Sequence, residues 1–193
     1  MSPTLDTTHI VLLRGINVGG KNKLPMKSLV AIFETLGCAN VRTYIQSGNV
    51  LFEADGELAR DLPTKISAAI ESEFGYSVPV VLRTARQLEA AIERSPHAHE
   101  LADADENFRK KALHVAFLAD RPSDEAIAGL DPDRSPGDTF QVLDREIYLR
   151  CPNGLARTKL TNAYFDSRLG TTSTMRNWKT TCKLLELAKA GLS

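Results

Sequence analysis

The sequence predicts an α+β protein built as a duplication of two ferredoxin-like (split βαβ) halves. Three observations carry that prediction. In the first half the patterns follow the order β-α-β-β-α-β, which is the split-βαβ order. The second half repeats β-α-β-β-α and adds a helix, without visible repetition of sequence. Pro79 opens the last strand of the first half, where this topology has a sheet edge that needs no ladder donor.

Each element has a local reason. His9–Arg14 (HIVLLR) is a short branched apolar run, read as a buried strand. Gly15–Leu24 is a loop. Pro25 suits a first helical position, and Met26, Leu29, Val30, Phe33 and Leu36 recur at helical spacing until Gly37 ends the helix. Asn40–Gln46 and Asn49–Ala54 flank Ser47-Gly48, a tight hairpin turn with Gly48 supplying positive φ. Leu58, Leu62, Ile66, Ile70 and Phe74 mark a second helix, Val78–Thr84 a strand, and Ala85–Arg94 a third helix. Ser95–Arg109 is polar, acidic and irregular, and reads as a linker. Domain boundaries are therefore expected at 1–96 and 97–193.

In the second half, Lys111–Ala119 is a strand and 123–130 a short helix. Thr139–Leu143 and Glu146–Arg150 form a hairpin across Asp144-Arg145, and helices at about 155–169 and 177–190 close the chain.

The composition is that of a folded globular chain, with 42% hydrophobic and 25% charged residues. No apolar run has the length of a membrane span, and the polar stretch Met1–Thr8 lacks the pattern of a secretory signal. Cys38, Cys151 and Cys182 are odd in number and widely spaced, so neither a disulfide framework nor a paired-ligand zinc site is expected. A reducing cytoplasm fits that cysteine usage.

A zero net charge hides an asymmetry. Residues 1–50 sum to +3, residues 51–155 to −8 and residues 156–193 to +5. If the fold brings the ends together they form one cationic face. The alternative is that the charges are solvated and scattered.

Four constellations could carry chemistry. Gly15-(x4)-Gly20-Lys21 has P-loop spacing, but Asn22 stands where the magnesium-holding hydroxyl belongs, and the helix begins too late. A looser anion nest of Gly15, Gly19 and Gly20 with Arg14, Asn17, Lys21 and Lys23 is a second reading, and a flexible strand-to-helix connection is a third. Ser47 and Asn49 are turn formers that could offer hydrogen bonds beside that loop. Near the C-terminus, Arg157, Lys159, Asn162, Arg176 and Asn177 accompany Tyr164 and Trp178, a cation-and-ring combination suited to phosphate and base contact. Arg176-Asn177 is expected at a helix start, where a cation opposes the dipole. His97 and His99, with Glu100 and Asp103, could meet on a metal from a loop. No third His or Cys lies near, so no metal is assigned.

Three strings together, RGINVGGKNK (14–23), YIQSGNV (44–50) and KLTNAYF (159–165) with RNWKT (176–180), resemble the bacterial family called domain of unknown function 1697. Lys179 departs from the Asn expected there. The resemblance implies a cytoplasmic bacterial protein with a ferredoxin-like duplication, and implies no activity. The function expected from the residues is binding of an anionic, phosphate-bearing small molecule or nucleic acid on a composite basic face. The alternatives are magnesium-dependent phosphoryl or nucleotidyl transfer, with Lys21 as electrophile and Asp120 holding the metal, and a protein-interaction module. No cofactor follows from the sequence, and no membrane partner is expected.

Overall fold

The computed structural model describes residues 4–97 and 111–191. The first half runs β1 (Thr8–Leu13), α1 (Met26–Thr35), β2 (Ala39–Tyr44), β3 (Asn49–Glu53), α2 (Gly56–Phe74), β4 (Val80–Thr84) and α3 (Ala85–Glu93). The second runs β5 (Leu113–Leu118), α4 (Asp124–Ala128), β6 (Thr139–Leu143), β7 (Glu146–Arg150), α5 (Asn162–Leu169), β8 (Ser173–Asn177) and α6 (Trp178–Ala190). Each half has one four-stranded sheet, ordered β2-β3-β1-β4 and β6-β7-β5-β8, with every neighbour antiparallel. The two orders correspond strand for strand.

In the first sheet, β1 is buried along its whole length. Val11 and Leu13, with Val50, Phe52 and Val80, meet Leu29 and Phe33 of α1 and Leu62, Ile66 and Ile70 of α2 in one apolar core. β4 lies at the sheet edge, and Pro79 immediately precedes it with its carbonyl accepting from Arg14 N at 3.0 Å. The second core joins Ala116, Leu118, Ile147 and Leu149 to Leu160, Tyr164, Phe165 and Leu169.

The sequence reading misplaces the end of the second half. Residues 155–161 are not helical, because Thr161 caps α5 by accepting from Tyr164 N at 3.2 Å and so sets its start at Asn162. Gly170, left-handed at φ 67, ends α5, and the chain then forms β8, a strand that the sequence reading omits. Its residues Ser173, Thr174 and Arg176 are buried although polar, so no apolar alternation marks it. The second half is thus β-α-β-β-α-β-α, like the first.

The compact units are residues 1–89 with 184–193, and residues 90–183. This differs from a cut at 96/97, because α3 and α6 are each divided between the units. The last turns of α6 belong to the first unit, where Arg42 donates to Leu187 O and Lys189 pairs with Glu89. The end of α3 belongs to the second, where Tyr148 OH donates to Ala91 O at 2.6 Å and Arg94 pairs with Glu146 at 3.2 Å. Most of the expected linker, and His99, Glu100 and Asp103 with it, lies outside the described residues.

Candidate functional site

The connection from β1 to α1 is held in shape by left-handed backbone. Gly15, Asn17, Gly19, Gly20 and Asn22 have φ of 75, 54, 58, 77 and 48°. Asn tolerates this conformation because its short amide bonds locally. Asn17 Nδ2 donates to Leu24 O and to Gln46 O, both at 3.0 Å, and its Oδ1 accepts from Leu24 N at 2.9 Å. One side chain therefore closes the base of the loop and fastens it to the β2–β3 hairpin. Asn22 Nδ2 donates to Gly15 O at 3.0 Å, and Tyr76 OH donates to Lys23 O at 2.9 Å.

The hairpin turn 45–48 lies beside this loop. Leu13 N donates to Gly48 O at 2.8 Å, and a Cβ on Gly48 would lie 2.6 Å from Leu13 Cβ. That position requires glycine for space as well as for its φ of 76°. Buried Asn49 donates to Tyr44 O and Ser47 Oγ, bracing the turn from within. Ile45, branched, half exposed and at φ 50°, is a strained residue of the kind that clusters at functional sites, at about 1–3 kcal/mol.

Loop, hairpin and the start of α1 border an open surface cavity of about 550 Å³ lined by Asn17, Gly20, Lys23, Leu24, Pro25, Met26, Lys27 and Gln46. No acid lines it. The chain holds no Asp or Glu from Arg14 to Phe33 or from Gly37 to Phe52. Lys21, Lys23 and Lys27 have no ion-pair partner among the described residues.

The start of α1 is bare. Its cap, Pro25, offers no side-chain bond, and its first turn has no acid. Every other described helix start has a side-chain cap: Asp55, Thr84, Ser123, Thr161 or Asn177. Unpartnered N–H groups and the positive dipole end therefore remain at the cavity.

Of the residues singled out from sequence, Asn17, Gly20 and Lys23 line this cavity, and Arg14, Gly15, Gly19, Lys21, Ser47 and Asn49 belong to the adjoining loop and turn of the first unit. Leu24, Pro25, Met26, Lys27 and Gln46 were not foreseen. The acid-free run and the missing Ser, Thr, Asp or Asn before α1 are the signals that could have found them.

The others belong to the second unit and are dispersed. Arg157 and Lys159 are exposed on the connection between β7 and α5, not on a helix. Asn162 Oδ1 accepts from Ser173 Oγ at 3.0 Å. Arg176 is not at a helix start. It lies on β8 opposite Val115, 8% exposed, with Nη1 donating to Thr174 Oγ1 and Met175 O at 2.9 Å. Burial pulls its guanidinium down to about 10. Asn177 caps α6 by accepting from Thr180 N at 2.7 Å. Tyr164 and Trp178 are buried, with Tyr164 OH accepting from Asp131 N, so neither offers an open stacking face.

The P-loop geometry is absent. The sheet is antiparallel, α1 starts at Met26, and Asn22 spends its amide on Gly15 O. Asp120 belongs to the second unit and accepts from Thr171 Oγ1 at 3.3 Å. Among the described residues no group of three or more His, Cys, Asp or Glu could hold a metal. Cys38 and Cys151 are buried thiols pushed up to about 11, chiefly by burial, and so are poor nucleophiles. Among the described residues no helix is long and apolar enough to cross a membrane.

No curated protein matches the chain. Its fold is similar to that of the conserved bacterial protein SP0830 from Streptococcus pneumoniae, at 23% identity and a TM-score of 0.70, over 95% of this chain and 98% of that one. A family model matches residues 7–148, which include the loop and hairpin strings but stop short of 159–165 and 176–180. With most of its length matched in this way, the chain belongs to the family described as protein of unknown function DUF1697.

Proposed function

We propose that the protein binds a phosphate-bearing small molecule in the cavity between the Arg14–Pro25 loop, the 45–48 turn and the start of α1. The observation that carries this reading is a cavity with two lysines and no acid in its lining. A volume of about 550 Å³ lies within the roughly 300–1,000 Å³ of small-molecule sites. Lys23 and Lys27 supply the charge, and the uncapped N–H groups of α1 supply donors that favour an anion. The Asn17 and Asn22 hydrogen bonds hold the loop backbone in its left-handed path, which reduces the backbone ordering that binding requires. The reading rests on the first unit alone.

We also read the two halves as ferredoxin-like duplicates, on their shared element order and strand order. A cytoplasmic location fits three free cysteines.

Thermal unfolding with and without phosphate monoesters tests the site. Saturation at about 100 times the dissociation constant stabilises by roughly 2.7 kcal/mol. For a chain of this size that raises Tm by roughly 5–10 °C. Lys23→Ala with Lys27→Ala removes the shift, whereas Lys65→Ala on α2 keeps it. A panel of phosphate monoesters that leaves Tm unmoved rejects the site.

A further inference from the structure

The cavity is much larger than the anion its charges would hold. A bare phosphate occupies a small part of it. What lines the remainder is specific in kind. Pro25 and Met26 form an apolar shelf on the helix side, and both retain exposed surface. Gln46 lines the hairpin side. Its backbone carbonyl is spent on Asn17, while its side-chain amide has no partner among the described residues.

Resting on the anion-site reading above, we infer that the organic part of the ligand is a flat nitrogen heterocycle, so that the ligand is of the nucleoside monophosphate class. The phosphate is held by Lys23 and Lys27. A planar ring packs on Pro25 and Met26, where apolar contact and a polarisable thioether suit an aromatic face. The Gln46 amide presents a donor and an acceptor side by side. That is the complement of a nucleobase edge, and glutamine makes such paired bonds to adenine. A sugar phosphate would leave the shelf wetted and the amide unselective, and a bare phosphate would leave both unused.

Isothermal titration against three probes tests the inference: adenosine monophosphate, ribose 5-phosphate and adenosine. The expected order is adenosine monophosphate tightest, with ribose 5-phosphate at least tenfold weaker and adenosine weaker still. Gln46→Leu should bring adenosine monophosphate to within about threefold of ribose 5-phosphate while leaving ribose 5-phosphate unchanged. That unchanged value also certifies a folded site. Equal affinity for the nucleotide and ribose 5-phosphate in the parent protein overturns the heterocycle and leaves the anion site standing. So does a nucleotide preference that survives Gln46→Leu. Absence of binding by both phosphate esters overturns the two readings together.

Discussion

The two halves share an order of elements and a sheet order, yet they enter their first helices in opposite ways. From β1 to α1 the chain spends twelve residues, 14–25, with five of them left-handed, three cations and no acid. From β5 to α4 it spends five, 119–123. There Ser123 caps the helix by accepting from Ala126 N at 3.1 Å, and Asp124 and Glu125 occupy the first turn. One helix start is closed by its own side chains, and the other is left for something else to close. The extra length is exchanged elsewhere, since β3 to α2 takes two residues, 54–55, whereas β7 to α5 takes eleven, 151–161. A shared framework thus tolerates loops of different length, each of which still adds apolar side chains to its core: Ile16 and Leu24 in the first, Cys151 and Leu160 in the second.

The largest effect expected separates buried from exposed cations. Arg176→Ala should cost about 3 kcal/mol, because it removes a buried, hydrogen-bonded side chain. Lys21→Ala at the loop tip should leave the urea midpoint in place. If both variants unfold at the parent's midpoint, Arg176 is not the interior residue described here.

Acid should strain the second unit more than the first. His114 is 6% exposed on β5, and burial pulls its imidazole down to about 4 from the ordinary 6.5, against an opposing pull from the Ala112 carbonyl. Its Nδ1 has no partner of hydrogen-bond geometry. The unfolded chain takes up the proton first, so stability is full above pH 6.5 and is lost as pH falls towards 4. The loss reaches about 3 kcal/mol. His9, in the corresponding place on β1, is also lowered by burial. Urea midpoints between pH 7 and pH 4.5 should therefore fall less steeply in His114→Leu than in the parent. Parallel curves would contradict this assignment.

Asn17→Ala should cost about 2 kcal/mol, since three hydrogen bonds, two of them part-buried, go at once. Asn22→Ala loses one and should cost about 1 kcal/mol. Only the first should also free the hairpin, read as faster amide exchange at Gln46 and Ser47.

The smallest effect sharpens the contrast between helix starts. Pro25→Ser gives α1 the cap that α4 has, adding about 0.5–1 kcal/mol while weakening phosphate binding. Ser123→Ala should cost about 1 kcal/mol with no change in binding. Equal effects of the two substitutions on phosphate affinity would remove the distinction.

The elements that bury an apolar stripe were legible in the chain. HIVLLR and the run from Leu58 to Phe74 at four-residue spacing show themselves directly, because burial there is carried by apolar side chains, and the two hairpins are marked by their turn residues. β8 did not show itself, because Ser173, Thr174 and Arg176 are buried by the sheet rather than by their own hydropathy. The same blindness turned Arg176 from a strand residue into a surface cation. At the candidate site, glycines, asparagines and lysines of the loop stood out as residue types.

By itself the sequence determined the α+β class, most of the element order, the position of the glycine-rich loop after β1 and its neighbouring hairpin turn. The tertiary structure decided which cations face outward, that Gln46 and Lys27 share a cavity with the loop, and that the chain's last turns belong to the first unit. The reason is physical: local patterns record backbone preference and hydropathy over a few residues. Burial of a polar side chain, or the meeting of residues 17 and 46, depends on strand pairing across distances that no local pattern encodes.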